Sequence, residues 1–400
     1  MSTARAAPSR RTLLAGGGAL VVSFSLIHSP FLPAAAQGPQ PPRLPGSLRT
    51  TPMLDAWIRV DGNGITVFTG KAELGQGIKT ALLQVAAEEL AVETGQILFV
   101  TADTANTPNE GYTAGSQSMQ DSATAIRHAA AQARERLLAA ASARWGVPAE
   151  QLTADDAVVT AADGRRASYR ELASAEILHV EAQPHSKLKQ PASYRLIGKP
   201  VARVDIPAKL TGAIAYVQDL RLPGMVHARV VRPPSYGARL RSIDVSAVER
   251  RPGVLKVVRD GQFLAVVAER EFQAVQAMDG LAMASLWDES KALPDPARLY
   301  EWLRSAPAAD DIIHADGSRA ESGAPSLEAV YHRPYQLHGS IGPSCAVALA
   351  EAGGLTVWTH SQGVYPLRAA LAELLGLAPD KVRCIHLEGS GCYGHNGADD

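Results

Sequence analysis

The 400-residue chain is long enough for two or three domains of about 100 to 200 residues each. Its hydrophobic fraction of 46% and charged fraction of 20% are those of a globular protein with a substantial core. A formal net charge of -1 argues against the basic face of a nucleic-acid binder. Beyond the N-terminus, no apolar run reaches the length of about 18 residues that marks a membrane span.

The N-terminal stretch SRRTLLAGGGALVVSFSLIHSPFLPAAAQG pairs Arg10 and Arg11 ahead of an apolar run from Leu13 to Ile27. Three glycines, Gly16 to Gly18, soften that run, and Ala34-Ala35-Ala36 offers a cleavage site before Gln37. Charge, apolar run and small residues in this order predict a twin-arginine export signal over residues 1–36. Such signals serve proteins that fold before crossing the membrane, so a periplasmic protein with a cofactor loaded in the cytoplasm is expected. Residues 37–53, rich in Pro and Gly, read as a linker.

A first unit is expected over residues 54–185. AWIRVDGNGITVFTG alternates about Asp61-Gly62-Asn63-Gly64 and predicts a β-hairpin. KTALLQVAAEEL follows at helical spacing, and QILFVTADT reads as a buried strand. A long helix is next, with Ile126, Ala129, Ala130, Ala133 and Leu137 as its apolar stripe and Gly146 as its stop. Small strands and a short helix complete the unit. A second unit, residues 199–305, mixes period-2 strands with one helix. A third, residues 325–400, reads hairpin, helix, strand. The order implies an α+β or α/β fold.

Glycine-flanked polar turns are the candidate sites. Gln76-Gly77 lies between a strand and a helix, where bare backbone lets a ligand approach and the helix N-terminus offers N–H groups to an anion. The polar loop around Thr113, Ala114, Gly115, Ser116 and Ser118 precedes the long helix, and long ordered loops are usually functional. Gln362-Gly363 again sits between strand and helix. Gly389-x-Gly391-x-x-Gly394 fits a dinucleotide fingerprint, but His395-Asn396-Gly397 is a poor opening for the helix that fingerprint needs. The plainer reading of each is an ordinary turn or surface loop. Together they suggest one pocket for a large phosphate-bearing ligand. Cys345, Cys384 and Cys392 lack C-x-x-C spacing, so no zinc or iron–sulfur site is expected from this chain, and Cys345 and Cys384 read as buried small residues. His332, His338, His360, His386 and His395 show no H-x-x-x-H spacing and suggest no metal ligand.

Four stretches resemble the molybdopterin-binding large subunit of the xanthine dehydrogenase/aldehyde oxidase family, and within it the exported branch similar to the isoquinoline 1-oxidoreductase β subunit. They are VFTGKAELGQGIKTALLQVAAEEL, TPNEGYTAGSQSMQDSATAIRHAAAQAR, GKPVARVDIPAKLTGAIAYVQDLRLPGMVHARVVRPP and LTVWTHSQGVYPLRAALAELLGL with EGSGCYGHNGADD. The resemblance covers nearly all of residues 54–400. It implies an α+β molybdenum-hydroxylase subunit with an a/b hammerhead domain over 199–305, ending inside a cofactor loop. It also implies which residues bind the cofactor. Gln76 and Gly77 match pterin-binding positions. Thr113, Ala114, Gly115, Ser116 and Ser118 match the loop beside cofactor and metal. Gln362, with Gly363, matches the glutamine near the metal's apical oxygen. Gly391, Cys392, Tyr393 and Gly394 stand where the family has G-G-F-G, the Cys and Tyr being departures.

The implied cofactor is molybdenum on molybdopterin, the cytosine dinucleotide form included, with no metal ligand from protein side chains. The implied reaction hydroxylates an N-heteroaromatic compound or oxidises an aldehyde, with water as the oxygen source. Implied partners are a small 2Fe–2S subunit, a c-type cytochrome as electron acceptor and a small-molecule substrate. The family's glutamate base lies near the end of the full subunit, so it is expected beyond residue 400; Glu73 and Glu110 have no motif support. A non-catalytic truncated fragment of such a subunit is the alternative.

Overall fold

The computed structural model describes residues 43–174, 176–289, 293–311 and 329–397. The export signal and residues 37–42 of the linker therefore lie outside the described residues; the rest of the linker is packed, with Leu48 buried in the core of the first unit. Strands β1 (Ile58–Asp61) and β2 (Gly64–Thr69) form the expected hairpin, with Ile58 opposite Val67. Helix α1 (Ile78–Leu90) then returns the chain to β3 (Ile97–Thr101), parallel to β2. The sheet order is β1-β2-β3, so β2 is central and mostly buried, while β3 is an edge. The reading of β3 as a buried strand is corrected: Leu98 is 64% exposed, because one face of the sheet is left uncovered at β3.

Helix α2 (Thr124–Trp145) follows a π-helical turn, Ser118–Ala123. It buries Ile126, Ala129, Ala130, Ala133 and Leu137, as its periodicity predicts. It stops at Gly146, whose left-handed φ of 68° lets its N–H reach the carbonyl of Ser142 at 2.8 Å. A small antiparallel sheet of β4 (Leu152–Asp155), β5 (Val158–Ala161) and β6 (Arg166–Ser168) leads to α3 (Tyr169–Leu172). These elements share one core with Trp57, Leu82, Leu90 and Tyr169. The segment after residue 185 remains attached to it. The buried Glu88 carboxylate accepts N–H groups from Arg195, Leu196 and Ile197 and pairs with Lys189, which fastens that tail to α1.

The middle stretch opens with α4 (Ile206–Thr211) and runs through β7 (His227–Val230), β8 (Arg239–Ile243), α5 (Ser246–Glu249), β9 (Val254–Asp260), β10 (Phe263–Ala268), α6 (Glu271–Ala284) and β11 (Ser285–Asp288). It has its own core, including Leu240, Leu264, Val266 and Leu281. Helix α7 (Leu299–Ser305) follows.

The last stretch repeats the plan of the first. β12 (Ala346–Glu351) and β13 (Gly354–Thr359) make a hairpin, and α8 (Val364–Leu375) returns the chain to β14 (Val382–His386), parallel to β13. The order β12-β13-β14 mirrors β1-β2-β3. Gly64-Ile65-Thr66-Val67-Phe68-Thr69 and Gly354-Leu355-Thr356-Val357-Trp358-Thr359 occupy equivalent strands. The two ββαβ units meet where residues 102–104 cross β14. The Thr104 N–H donates to Cys384 O at 3.0 Å, and the His386 N–H donates to Ala102 O at 2.9 Å. Asp103 then takes Arg383 of β14 in a two-point ion pair at 3.0 and 2.6 Å. Burial raises the Asp103 carboxyl, but Arg383 with the Ala105 N–H and Asn106 outweighs it and holds its pKa below the ordinary value. One core draws on both units, joining Ala72 and Ala102 to Val357, Val382 and Cys384. The fold is therefore α+β, with a ββαβ unit at each end of the described chain.

Candidate cofactor site

Four loops converge, each following the C-terminal end of a strand in the two ββαβ units. Parallel strands separated by a helix leave such ends open to ligands. The loops are residues 70–77 after β2, 102–118 after β3, 360–363 after β13 and 387–397 after β14.

The first loop is fixed by two buried charges. The Lys71 ammonium donates to the carbonyls of Glu110 at 2.8 Å and Tyr112 at 3.0 Å, which ties it to the second loop. The Glu73 carboxylate accepts from the N–H groups of Gly75, Gly77 and Lys79, each at 2.9 Å. The anion expected at the N-terminus of α1 is thus the chain's own. This corrects the expectation that those amides are free, since the carboxylate already satisfies three donors at the turn. Gln76 folds onto its own loop: its Nε2 donates to Ala72 O at 3.1 Å, and its Oε1 accepts from Leu74 N–H. Glu110 is equally engaged, taking Ser47, Thr69, Ser122 and the Gly70 N–H.

The second and third loops are stitched together across 249 residues of sequence. The Thr113 N–H donates to Gln362 O at 2.8 Å, and Gln362 Nε2 returns a bond to Thr113 O at 2.9 Å. The Thr113 hydroxyl accepts from Ala72 N–H at 2.8 Å, so all three loops meet at this residue. Gln362 Oε1 is buried and has no hydrogen-bond partner. An amide oxygen left so costs about 1–3 kcal/mol unless a ligand satisfies it. Beneath these loops lies His386, whose two ring nitrogens face the carbonyls of Ser361 at 3.0 Å and Glu73 at 2.8 Å. Burial pushes its pKa down, the carbonyls opposing.

Backbone strain gathers here too. Gly391 and Gly394 have φ of 130° and 99°, and the non-glycine residues Ser116 and Tyr393 sit at 57° and 53°. Left-handed non-glycine residues persist only where their surroundings hold them, and they cluster at ligand sites.

The loops border an open cavity of about 1190 Å³, larger than the usual small-molecule pocket of about 300–1,000 Å³. Gln76, Thr113, Ala114, Ser116, Ser118, Gln362, Gly391, Cys392, Tyr393 and Gly394 line it. Three other sequence-derived candidates do not. Gly77 instead faces Arg203, whose guanidinium carbon lies 3.6 Å from where its Cβ would be. Gly115 packs toward Gln117. Gly363 lines a neighbouring cavity of about 430 Å³ beside Tyr112 and His360. Cys384 is buried as expected, but Cys345 is only half-buried.

Sequence reasoning missed the opposite wall: Lys209, Tyr216, Gln218 and Asp219 from the middle stretch, and Glu388 ahead of the last loop. Asp205 is held far below the ordinary carboxylate range by Arg203, then Lys209. Lys209 pairs with both Asp205 and Glu388. Burial raises the Glu388 carboxyl, and Lys209 offsets this only in part. With Lys209 so engaged, backbone N–H groups and lining hydroxyls, those of Thr113, Ser116 and Ser118 among them, are the donors open to an anionic group in the cavity. Loop-borne glycines, an unpaired amide oxygen and a large, mostly neutral lining fit a bulky ring-bearing cofactor held chiefly by main chain.

Family models agree with this geometry. Molybdopterin cofactor-binding domain models match residues 5–211 and 307–398. A nicotinate dehydrogenase subunit of Pseudomonas putida is 38% identical, covering 100% of this chain and 34% of its own length. The beta subunit of isoquinoline 1-oxidoreductase of Brevundimonas diminuta is 29% identical over 95% of this chain and 54% of its own. A membrane-bound aldehyde dehydrogenase (pyrroloquinoline-quinone) of Gluconacetobacter polyoxogenes is 26% identical over 85% and 46%. The chain thus spans about a third to a half of these relatives. It belongs to the molybdopterin cofactor-binding domain family, as a molybdenum-binding large-subunit chain of the xanthine dehydrogenase type.

Proposed function

We propose that the four loops hold a molybdenum–molybdopterin cofactor in an oxidoreductase that hydroxylates an N-heteroaromatic compound or oxidises an aldehyde. The observation that carries this reading is the buried, unpaired Gln362 Oε1 in a cavity lined by ten residues that the family resemblance marks. The bound cofactor supplies the two-electron oxidation with water as oxygen source, while the chain binds, orients and shields it. Thr113 and Gln362 hold the second and third loops in register. Gly391 and Gly394 let the backbone come close to the ligand. Relatives named for nicotinate, isoquinoline and aldehydes support the two substrate classes.

The cofactor would be the cytosine dinucleotide form, and electrons would pass to a small 2Fe–2S subunit and then a c-type cytochrome. The subunit designations of the first two relatives support a multi-subunit assembly. Arg10-Arg11 and the apolar run after them support export by the twin-arginine route to the periplasm. Glu73 and Glu110 are committed to backbone and hydroxyl donors, which argues against either as the reaction's base. The test is turnover of N-heteroaromatic acids and aldehydes with an artificial electron acceptor, using protein assayed for molybdenum and pterin. Loaded protein inactive on both classes would refute the assigned reaction.

A further inference from the structure

Gln218 lies outside all four loops, in the short turn Val217–Asp219 of the middle stretch. That turn is fastened to the start of the last loop. The Val217 N–H donates to Glu388 O at 2.9 Å, and Tyr216 bridges to Glu388 as a parallel pair. The Lys209 ammonium holds the Glu388 side chain from the same side. The middle stretch therefore forms a wall of the cavity rather than a separate appendage.

Gln218 lines that cavity, and its Oε1 is buried with no hydrogen-bond partner. Gln362 Oε1, in the same cavity, is in the same condition. The direction of the Gln362 amide is fixed, because Nε2 donates to a carbonyl, so its unpaired atom is an acceptor. Neither atom of the Gln218 side-chain amide has a hydrogen bond among the described residues, so a ligand sets its direction; with its oxygen turned to the cavity, Gln218 and Gln362 present two acceptors on separate walls to a ligand with two N–H donors. A pterin ring system carries such donors on its amino and ring nitrogens.

We propose that Gln218 is a positioning residue that accepts an N–H of the ring system bound in the cavity, so that the middle stretch completes the cofactor site. The inference rests on the molybdopterin reading given above. It assigns a binding role to a residue that no loop motif marks. The Lys209–Glu388 pair and the Val217 bond keep the Gln218 turn against the last loop.

The test compares purified holoenzyme carrying Gln218, Gln218→Leu or Gln218→Glu. The readouts are molybdenum content, pterin content and the rate at which pterin is lost on dialysis. Leucine removes the acceptor, whereas glutamate keeps acceptor oxygens at the same reach. Gln218→Leu is expected to lose pterin about tenfold faster, the equivalent of about 1.4 kcal/mol, and Gln218→Glu to stay within about twofold of wild type. Release from Gln218→Leu at the wild-type rate would overturn the proposal. So would Gln218→Glu releasing as fast as Gln218→Leu, since a merely structural role is not rescued by restoring an acceptor. If Gln218→Leu fails to accumulate folded, Gln218→Ala answers the same question by the same release rate. Wild-type protein lacking both molybdenum and pterin would overturn the cofactor reading itself, and this inference with it.

Discussion

Replacing Glu73 by Gln separates a structural carboxylate from a catalytic one. Glu73 Oε1 accepts from Gly75 and Gly77 N–H, and Oε2 from Lys79 N–H, all at 2.9 Å. Its side chain is only 3% exposed, so water cannot replace these bonds freely. Glutamine keeps one acceptor oxygen and turns an N–H toward the remaining amide. One charge-assisted bond is lost, two become neutral, and the 3.6 Å ion pair with the partly exposed Arg203 is removed. With charge-assisted bonds worth about 1.5–3 kcal/mol and neutral ones about 0.5–1.5 kcal/mol, the net loss is about 2–4 kcal/mol after the lower desolvation cost of the amide. Urea unfolding of the purified protein reads this directly. The loaded variant should keep a pH–rate profile of wild-type shape, because no reacting proton passes through Glu73. An unchanged unfolding midpoint together with a loss of turnover of about 100-fold or more, the scale of a removed general base, would refute the reasoning.

Gln362→Ala should slow turnover of the complete enzyme more than it weakens folding; unchanged turnover at normal molybdenum content would count against its place in the site. Asp103→Asn weakens the ion pair to Arg383 that joins the two ββαβ units, and should lower stability by about 1–3 kcal/mol in a denaturant titration. Acid should destabilise the fold through Asp205 and Asp103. Both carboxyls titrate below their ordinary value of 3.8 when folded, so their contribution is complete above the unfolded pKa and is lost as pH falls through and below it. Asp205→Asn should therefore flatten the fall in melting temperature below about pH 4, and an unchanged slope would contradict that. Gly363→Ala places a Cβ 2.5 Å from the Tyr112 ring and should lower the melting temperature, which a calorimetric scan would show.

Much of the fold was legible because its periodicities are local. The hairpin at Asp61-Gly64, the stripe of α2 and the Gly146 stop depend on neighbours in sequence, and each appears where pattern places it. The loops at 113–118 and 391–394 stood out where glycine and small hydroxyls crowd together, and the structure brings them to one cavity. What escaped depends on distance. Glu73 has no motif support in the sequence, and its role shows only once α1 is seen to begin at Ile78, within reach of its carboxylate. Gln218, Lys209 and Glu388 share no motif, and only the docking of the middle stretch on the end of β14 brings them together. One signal was present and unused. The hexapeptides at 64–69 and 354–359 differ at two positions, both by like-for-like apolar exchange, and they mark the duplicated ββαβ plan that sets Gln76 and Gln362 at equivalent turns.

The most direct measurement is an anomalous difference map of the crystalline holoenzyme at the molybdenum absorption edge. A peak is expected inside the cavity lined by Gln362, Thr113 and the Gly391–Gly394 loop, with pterin density against those residues. A molybdenum peak outside that cavity, or a different molecule filling it, would contradict the assignment of the four loops as the cofactor site.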